Sequence, residues 1–397
     1  MSRTVIDHSA LHLLGSLVAS RITVQDVPTD SWRPVVDLAV ECGLAPVLLW
    51  TVRQSSFDTS GSQIFLPLVQ TAHQTAMGAA LLERAQCDVE SALRDAGIPT
   101  LWIKGAALVH TNYPQPTLRP MSDLDVLVPY AQREQALSVV QRIGYDFYIL
   151  DSRLSRSSGD ALVLKLSHHY HLKGGVGNNV VLELHFRLLT YNDELLSLEQ
   201  LQWFWGHRHT VCSGSDLVFD TLTPEAHLLY LCAHAMLQHG EGHPYLLRFF
   251  DMHQIVTQTP LDWSIIVDQA VVLGWTRAVE RALQLCAEYF GTSVPEVVCA
   301  DLVSRRPAHE DVSRVARLTG AGNRWERVRE NMDDLSRRDR LVYILRIVFP
   351  NPAYIRQRYS VRPGWPTWPY YAYRWFDQGR DVVCSAWKRH TGHYRSL

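Results

Sequence analysis

Hydrophobic and polar residues alternate regularly over residues 122–128, Ser-Asp-Leu-Asp-Val-Leu-Val. In an extended chain neighbouring side chains point to opposite faces, so this alternation predicts a strand. The aliphatic residues would pack into a core, while Asp123 and Asp125 would project together from the other face. Two carboxylates this close repel each other, which favours a cation between them.

A second alternating segment covers residues 179–188. Its aliphatic residues would share one face with a phenylalanine, and the opposite face would carry Glu183 and His185. Residues 161–166 are expected to form the preceding strand of a hairpin, with residues 174–179 as its connecting turn. The pattern therefore predicts a third carboxylate on a sheet surface.

Residues 96–105 have the pattern of a turn, a short apolar strand and a closing glycine. Residues 106–113 predict a short helix that Pro114 ends. The free N–H groups and positive dipole end of such a helix suit a triphosphate. Lys104, one of only four lysines in the chain, lies at this point.

The spacing of apolar residues divides the chain into helical parts around a mixed centre. Residues 131–143 predict an amphipathic helix within that centre, and residues 210–219 a short strand after it. The expected parts are a helical N-terminal region at 1–95, a core at 96–192, a helical C-terminal domain at 193–335, and an arginine- and aromatic-rich segment at 336–397.

Asp123, Asp125 and Glu183 together form a plausible set of ligands for a hard cation. Mg²⁺ and Mn²⁺ prefer oxygen ligands and usually bind together with a phosphate. Three carboxylates on one sheet surface can hold two such ions, neutralise a departing pyrophosphate and activate a hydroxyl. The Asp-x-Asp pattern by itself is equally compatible with an acidic turn.

The order of these motifs resembles a large bacterial nucleotidyltransferase family of the DNA polymerase β-like superfamily. The likeness is carried by Lys104-Gly105, by Leu-Arg-Pro-Met-Ser-Asp-Leu-Asp-Val-Leu-Val at 118–128, and by Leu-Glu-Leu-His-Phe at 182–186. Less specific segments extend it over nearly the whole chain. The resemblance implies an α+β fold, in which a small mixed sheet with flanking helices forms a polymerase β-like core between helical N- and C-terminal parts.

The resemblance also implies roles for individual residues. Asp123, Asp125 and Glu183 would be catalytic and would bind Mg²⁺ or Mn²⁺, with Glu183 at the catalytic metal or acting as base. The family's phosphate turn usually has Ser or Gly after its glycine, whereas this chain has alanine, which shifts the expected phosphate contacts to lysine and arginine. The candidate nucleotide-binding residues are Lys104, Gly105, Ala106, Arg119, Ser122 and His185.

Composition agrees with a globular protein, with 47% hydrophobic and 20% charged residues. The seven cysteines are scattered singly, which is typical of reduced thiols in a cytoplasm. No apolar run reaches the roughly 18 residues of a membrane span, and residues 8–20 predict a short amphipathic helix instead of a signal peptide. We therefore expect a cytoplasmic protein without a membrane partner.

Positive charge is concentrated at the C-terminal end. Residues 305–397 carry 18 arginines and one lysine against nine acidic residues, although the whole chain has a net charge of −2. The favoured interpretation is that these arginines pair with the acidic remainder, because a pI of about 6.8 is not that of a nucleic-acid binder. If RNA were the acceptor, four arginines would line one groove beside two tryptophans: Arg356, Arg358, Arg362 and Arg374, with Trp365 and Trp368.

Histidines suggest more than one role. The spacing His-x-x-x-His occurs at His8 with His12 and at His239 with His243, but neither pair has the glutamate of a zinc motif, so zinc is not expected there. Three more are expected to follow the first strand of the hairpin: His168, His169 and His171. His185 could orient Glu183 or touch a phosphate, and His234 and His239 could line the acceptor side.

These features favour an enzyme that transfers a nucleoside monophosphate from an NTP to a hydroxyl or phosphate and releases pyrophosphate. The expected partners are NTP and a small-molecule or peptide-like acceptor, in preference to RNA and without DNA. Three alternatives stay open: an RNA (tRNA-type) nucleotidyltransferase, a glycosyltransferase with its own Asp-x-Asp metal site, and a non-catalytic NTP-binding protein. A glycosyltransferase does not call for Glu183 on a neighbouring strand or for Lys104-Gly105 upstream, which favours nucleotidyl transfer.

Overall fold

The computed structural model describes residues 7–55, 63–148, 162, 167–189, 196–213, 217–239, 246–308, 332 and 335–376. They form a mixed α/β structure in two compact units. The first unit comprises residues 1–146 and 168–327, and the second comprises residues 147–167 and 328–397. Within the described part of the chain, no helix is both long enough and apolar enough to cross a bilayer.

A seven-stranded mixed sheet forms the centre of the first unit. Its strand order is β3-β4-β5-β2-β1-β7-β6. Strands β2 and β5 are parallel, as are β1 and β7, whereas the pairs β1–β2, β4–β5 and β6–β7 are antiparallel. The strands are β1 (Leu101–Ile103), β2 (Asp123–Leu127), β3 (Asp146–Phe147), β4 (His169–Gly174), β5 (Val180–His185), β6 (Arg208–Cys212) and β7 (Val218–Leu222).

Helices precede the sheet, connect its strands and follow it. The preceding ones are α1 (His8–Val18), α2 (Trp32–Glu41), α3 (Ala45–Gln54) and α4 (Leu66–Asp95). Helices α5 (Gly105–Thr111) and α6 (Arg133–Arg142) follow β1 and β2. The later ones are α7 (Leu198–Gly206), α8 (Pro224–Ala233), α9 (Leu246–Gln258), α10 (Trp263–Leu273), α11 (Thr276–Phe290) and α12 (Glu296–Ser304).

Helices that precede the sheet in the sequence and helices that follow it share one hydrophobic core. Leu17 of α1, Leu101 of β1, Leu229 of α8 and Leu283 of α11 belong to the same buried cluster. The helical character expected before residue 96 is confirmed, as is the amphipathic helix expected at 131–143. Helices from distant parts of the chain thus complete one core around the sheet.

Helix α4 holds β1 in place through a buried carboxylate. Glu90 accepts hydrogen bonds from Thr100 Oγ1 at 2.7 Å and from Trp102 Nε1 at 2.8 Å. Gln86, one turn earlier, donates to the carbonyl of Ala106 at 3.2 Å. Because buried polar groups need partners, these bonds define where β1 ends and α5 begins, and so where Lys104 lies.

The hairpin differs from the sequence expectation. The strand that pairs with β5 is β4, His169–Gly174, so of the histidines expected after a strand, His169 and His171 belong to the strand itself and His168 directly precedes it. The predicted strand at 161–166 falls outside the described residues except for Leu162, which is helical. The turn predicted at 174–179 does connect the two strands, and the strand predicted at 210–219 appears as β6 and β7 of the same sheet.

The second unit has a small core of its own, formed by Leu162, Leu335, Tyr343 and Ile347. Its helices are α13 (Arg337–Val348) and α14 (Pro352–Arg358). The side chain of Ser336 caps α13 by accepting a hydrogen bond from the Asp339 N–H at 3.1 Å.

Candidate active site

Strand pairing brings the carboxylates of β2 and β5 together. In the parallel ladder Asp125 is opposite Glu183, and in the antiparallel ladder Glu183 is opposite His171. The aliphatic side chains that alternate with them, such as Leu124 and Leu182, are fully buried on the other face. The predicted alternation is therefore confirmed, and it places a row of polar side chains across three strands.

Lys104 lies between two of these carboxylates. Its Nζ is 2.7 Å from Oδ1 of Asp125 and 3.6 Å from Oε2 of Glu183. The neighbouring carboxylates raise the pKa of Lys104, although burial acts in the opposite direction. The ammonium is therefore engaged with the acidic residues, and is not a solvated charge at the end of a strand.

The backbone of Lys104 has an unusual conformation. Its φ of 52° and ψ of −135° lie in a region that glycine adopts far more readily than lysine. The main-chain N–H donates to Nε2 of His227 at 3.1 Å. His227 lies in the first turn of α8, which the side chain of Thr223 caps at its N-terminus. Contacts with both α8 and β2 therefore hold this residue in place.

His185 connects the same two carboxylates from inside the sheet. Its Nε2 is 2.9 Å from Oδ1 of Asp125 and 3.3 Å from Oε2 of Glu183, and the residue is fully buried. Burial disfavours the imidazolium, but the hydrogen bonds to Asp125 and Glu183 raise the pKa of His185 above its usual value. Burial would likewise raise the pKa of Glu183, yet the hydrogen bond from His185 and nearby positive groups hold it well below the ordinary range.

Asp123 is separate from this tight cluster. It is opposite Val181 in the ladder, and Ser122 donates a hydrogen bond to it. Three groups of potential ligand atoms within 4.8 Å of one another occur among the described residues, and none of them includes Asp123. Burial, followed by the charges of Asp125 and Glu183, raises the pKa of Asp123 to about 6.

Whether a hard cation fits depends on the donor atoms that this face offers. Burial, followed by the charges of Asp125 and Glu183, raises the pKa of Asp123, whereas the charge of Lys104 acts in the opposite direction. Oxygen donors from Asp123 and Asp125 on one strand face match what Mg²⁺ and Mn²⁺ require. The donor set therefore fits such an ion, with Lys104 already neutralising part of the charge between Asp125 and Glu183.

Two histidines of β4 join the site in a way that the sequence interpretation missed. His169 Nε2 is 3.7 Å and His171 Nδ1 is 3.4 Å from Oε1 of Glu183. Burial, followed by the charge of His185, lowers the pKa of His169 to about 3, and burial also lowers that of His171. The spacing His169-x-His171 could have predicted this arrangement. In a strand this spacing places both rings on one face, as it does for the side chains of Glu183 and His185.

Gly105 and Arg119 pack against each other. A Cβ on Gly105 would overlap with Nη1 of Arg119 and would lie 2.9 Å from Sδ of Met121. The Arg119 guanidinium makes a two-point contact with the buried Asp251, from Nε at 2.9 Å and from Nη2 at 2.7 Å. The sequence predicted that another group would closely approach the backbone of Gly105. This is confirmed, and the approaching group is the guanidinium of Arg119.

The remaining nucleotide-binding candidates lie around the same strand ends. Ala106 is fully buried in α5, and Ser122 is exposed just before β2.

A π-helical turn, His234–His239, follows α8, and the ring centroids of its first and last residues are 4.7 Å apart. Burial and then the charge of Lys104 hold the pKa of His234 well below its usual value, so this turn lies within electrostatic reach of Lys104.

In the second unit, the four arginines considered for RNA binding differ in exposure: Arg356, Arg358 and Arg362 are exposed, and Arg374 is not. Arg374 is buried, at 2% exposure, and donates to the Ile347 carbonyl at 3.1 Å. Arg356 donates to the Trp365 carbonyl at 3.1 Å. Trp365 and Trp368 are exposed, whereas the burial of Arg374 does not match the groove that was expected if RNA were the acceptor.

The comparisons with known proteins identify the family of this chain. No curated relative matches the chain. A model of the family described as uncharacterised nucleotidyltransferases matches residues 28–291, which include the sheet, Lys104 and all three carboxylates. The match covers about two thirds of the 397 residues, and the chain therefore belongs to this uncharacterised nucleotidyltransferase family.

Proposed function

We propose that the protein transfers a nucleoside monophosphate from an NTP to a small-molecule or peptide-like acceptor. An acceptor oxygen attacks the α-phosphorus, the bond from that phosphorus to the bridging oxygen breaks, and pyrophosphate leaves with its electron pair. The acceptor proton passes to a basic group or to water. On this proposal the catalytic core has the polymerase β-like arrangement, and the compartment is the cytoplasm.

One observation carries the proposal: Asp125 and Glu183 are directly opposite on parallel strands, with Asp123 on the same face. Neighbouring carboxylates on rigid strands suit a phosphoryl-type transfer, in which catalysis is mainly positioning and charge stabilisation. The pairing with Glu183 also favours nucleotidyl transfer over glycosyl transfer, which does not call for a third acid on a neighbouring strand.

Asp123 and Asp125 would hold a Mg²⁺ or Mn²⁺ ion, which when bound would neutralise phosphate charge and orient the attacking oxygen. The low pKa of Glu183 makes it a weak base, since an effective general base has a pKa near the working pH. We therefore assign Glu183 the role of a permanently charged ligand. Lys104, beside both carboxylates, can add positive charge where the triphosphate binds.

The contacts to the nucleotide are assigned by position. The start of α5 supplies the N–H groups of Gly105 and Ala106, and Ser122 is accessible next to Asp123. His185 acts through the two carboxylates that it bridges. Arg119 lies behind Gly105, and its guanidinium is already bound to Asp251. It therefore contributes charge to the site without contacting the nucleotide directly.

A small acceptor is preferred because part of the basic segment is buried, as Arg374 shows. The test is incubation with each α-³²P-NTP, Mg²⁺ and a cell extract, followed by separation of protein, RNA and small molecules. We expect α-³²P label in a new small-molecule or peptide product, γ-³²P label in pyrophosphate but not in that product, and no product with Asp123→Asn. Label in RNA would replace the acceptor assignment, and absence of transfer from every NTP, or transfer unaffected by Asp123→Asn, would overturn the proposal.

A further inference from the structure

The two oxygens of Glu183 face different surroundings. Oε2 faces the catalytic side, at 3.6 Å from Lys104 Nζ and 3.3 Å from His185 Nε2. Oε1 faces β4, where His169 Nε2 and His171 Nδ1 are its neighbours. The carboxylate thus separates a carboxylate-rich side from an imidazole-rich side of the same sheet.

The distances on the imidazole side are within about 0.1 Å of the range expected between ligands of a shared zinc ion. Charge-assisted hydrogen bonds from nitrogen to carboxylate are typically about 2.7–2.9 Å long. The nitrogens here are 3.4 Å and 3.7 Å from Oε1. Zn²⁺ binds nitrogen and oxygen at about 2.0–2.2 Å in tetrahedral geometry, which places neighbouring ligand atoms about 3.3–3.6 Å apart.

His169 also has a partner that orients its ring. Its Nδ1 is 3.0 Å from Nε2 of His168. Metal-binding histidines usually have their second ring nitrogen hydrogen-bonded, which leaves the first one free to ligate. The antiparallel register places His171 opposite Glu183 and His169 opposite His185, so the strands themselves set the spacing of the donors.

We propose that His169, His171 and Oε1 of Glu183 bind a divalent transition-metal ion of the zinc type. Imidazole nitrogens select such ions, whereas Mg²⁺ prefers an all-oxygen set such as the one around Asp123. Three protein ligands leave a fourth position open, as in two-histidine, one-glutamate zinc sites. The site goes beyond nucleotidyl transfer and does not depend on it.

The test measures metal binding without nucleotide, on tag-free full-length protein. Cobalt(II) is titrated first, because its visible spectrum reports nitrogen ligation and low coordination number, and Zn²⁺ is then used to displace it. We expect one Co²⁺ per chain, displaced by Zn²⁺ and resistant to millimolar Mg²⁺. His169→Ala and His171→Ala should weaken Zn²⁺ binding at least tenfold, and His168→Ala should weaken it by about 10- to 100-fold.

Controls distinguish this site from others. His209→Ala removes an exposed histidine from β6, at the opposite edge of the sheet, and should leave Co²⁺ binding unchanged. Circular dichroism verifies folding, and His169→Phe and His171→Phe keep ring volume without a ligand atom. Failure to bind one Co²⁺ tightly, or binding that survives both histidine substitutions, would overturn the proposal whatever the transfer assay shows.

Discussion

His227 accepts a hydrogen bond from the backbone N–H of Lys104 across 3.1 Å, from a helix more than a hundred residues later in the chain. This bond holds Lys104 in a backbone conformation with φ of 52°. Lys104 also places its ammonium 2.7 Å from Oδ1 of Asp125. Strained residues persist where surrounding contacts enforce them, often at functional sites, and here the strain is coupled to the position of a charge beside the acidic face.

The strain at Lys104 can be separated from the loss of its charge by two substitutions. Lys104→Gly and Lys104→Ala both remove the ammonium, but only glycine adopts this backbone conformation readily. We expect the glycine variant to be more stable than the alanine variant by about 1–2 kcal/mol in urea unfolding. Both variants should have lost transfer activity. Equal stability of the two variants would show that the backbone at residue 104 is not strained.

Acid sensitivity should follow from His227. Burial, followed by the charge of Arg119, lowers the pKa of His227 to about 3, against about 6.5 in an unfolded chain. Below pH 6.5 the unfolded state takes up a proton that the folded state does not. The stability contributed by this group is therefore complete above about pH 6.5 and falls by up to about 1.4 kcal/mol per pH unit toward pH 3.

His227→Gln tests this pH dependence, because its amide oxygen can accept the Lys104 N–H bond but cannot titrate. The free energy of unfolding, measured by urea at several pH values between about 7 and 5, should fall less steeply in this variant than in the wild type. His73→Gln, at an exposed position on α4, should retain the wild-type slope. A wild-type slope in His227→Gln would refute the assignment.

The two aspartates of β2 should differ in stability although both are needed for transfer. Asp123→Asn removes a carboxylate whose pKa is raised to about 6 by burial and like charge, so at neutral pH the variant should melt at the same or a higher temperature. Asp125→Asn removes the negative charge nearest to both Lys104 and His185, which then keep only their longer contacts with Glu183. Weakening these buried ion pairs should cost up to about 3–5 kcal/mol.

Calorimetric melts without metal and α-³²P-NTP assays measure both effects. We expect transfer to be abolished in each variant. A stable and active Asp125→Asn protein would remove the basis for the site, whereas a strongly destabilised Asp123→Asn protein would contradict the charge balance described above.

Glu183 should matter as much as the aspartates, and His185 less. Glu183→Gln keeps the shape but loses the charge that Lys104 and His185 contact, so transfer should be abolished. His185→Ala should lose at most about 10²–10⁴-fold in rate, and His185→Gln should recover part of it by donating to Asp125. Near-normal transfer by Glu183→Gln would return weight to glycosyl transfer.

Gly105 should tolerate no side chain while Arg119 is in place. A Cβ at residue 105 would overlap with the guanidinium that Asp251 holds, so Gly105→Ala should cost about 1–3 kcal/mol. The cost should shrink in an Arg119→Lys background, giving a coupling of at least about 0.5 kcal/mol. Gly78→Ala, on α4 where a Cβ meets nothing within 4 Å, is the matched control and should be neutral or stabilising.

Local periodicity was enough to predict several elements. The two-residue alternation at 122–128 and 179–188 correctly indicated β2, β5 and the polar face that carries Asp125 and Glu183, because strand side chains alternate whatever the partner strand is. The helical character before residue 96 and the turn that follows it were equally predictable from the spacing of apolar residues. The wrong hairpin partner came from the apolar run at 161–166, which looked more strand-like than the histidine-rich β4.

Sequence alone determined which residues are acidic, which face of each strand they share, and the family to which these motifs point. Only the tertiary structure decided that His171 lies opposite Glu183, that Lys104 is held by His227, and that Arg119 is bound to Asp251. The reason is physical: periodicity reports the direction of side chains within one element, whereas pairing between elements depends on strand register and on the packing of distant helices. A local pattern can place Asp125 on a strand face, but its partner His185 lies 60 positions away in the chain, and Arg119 lies 132 positions away from Asp251.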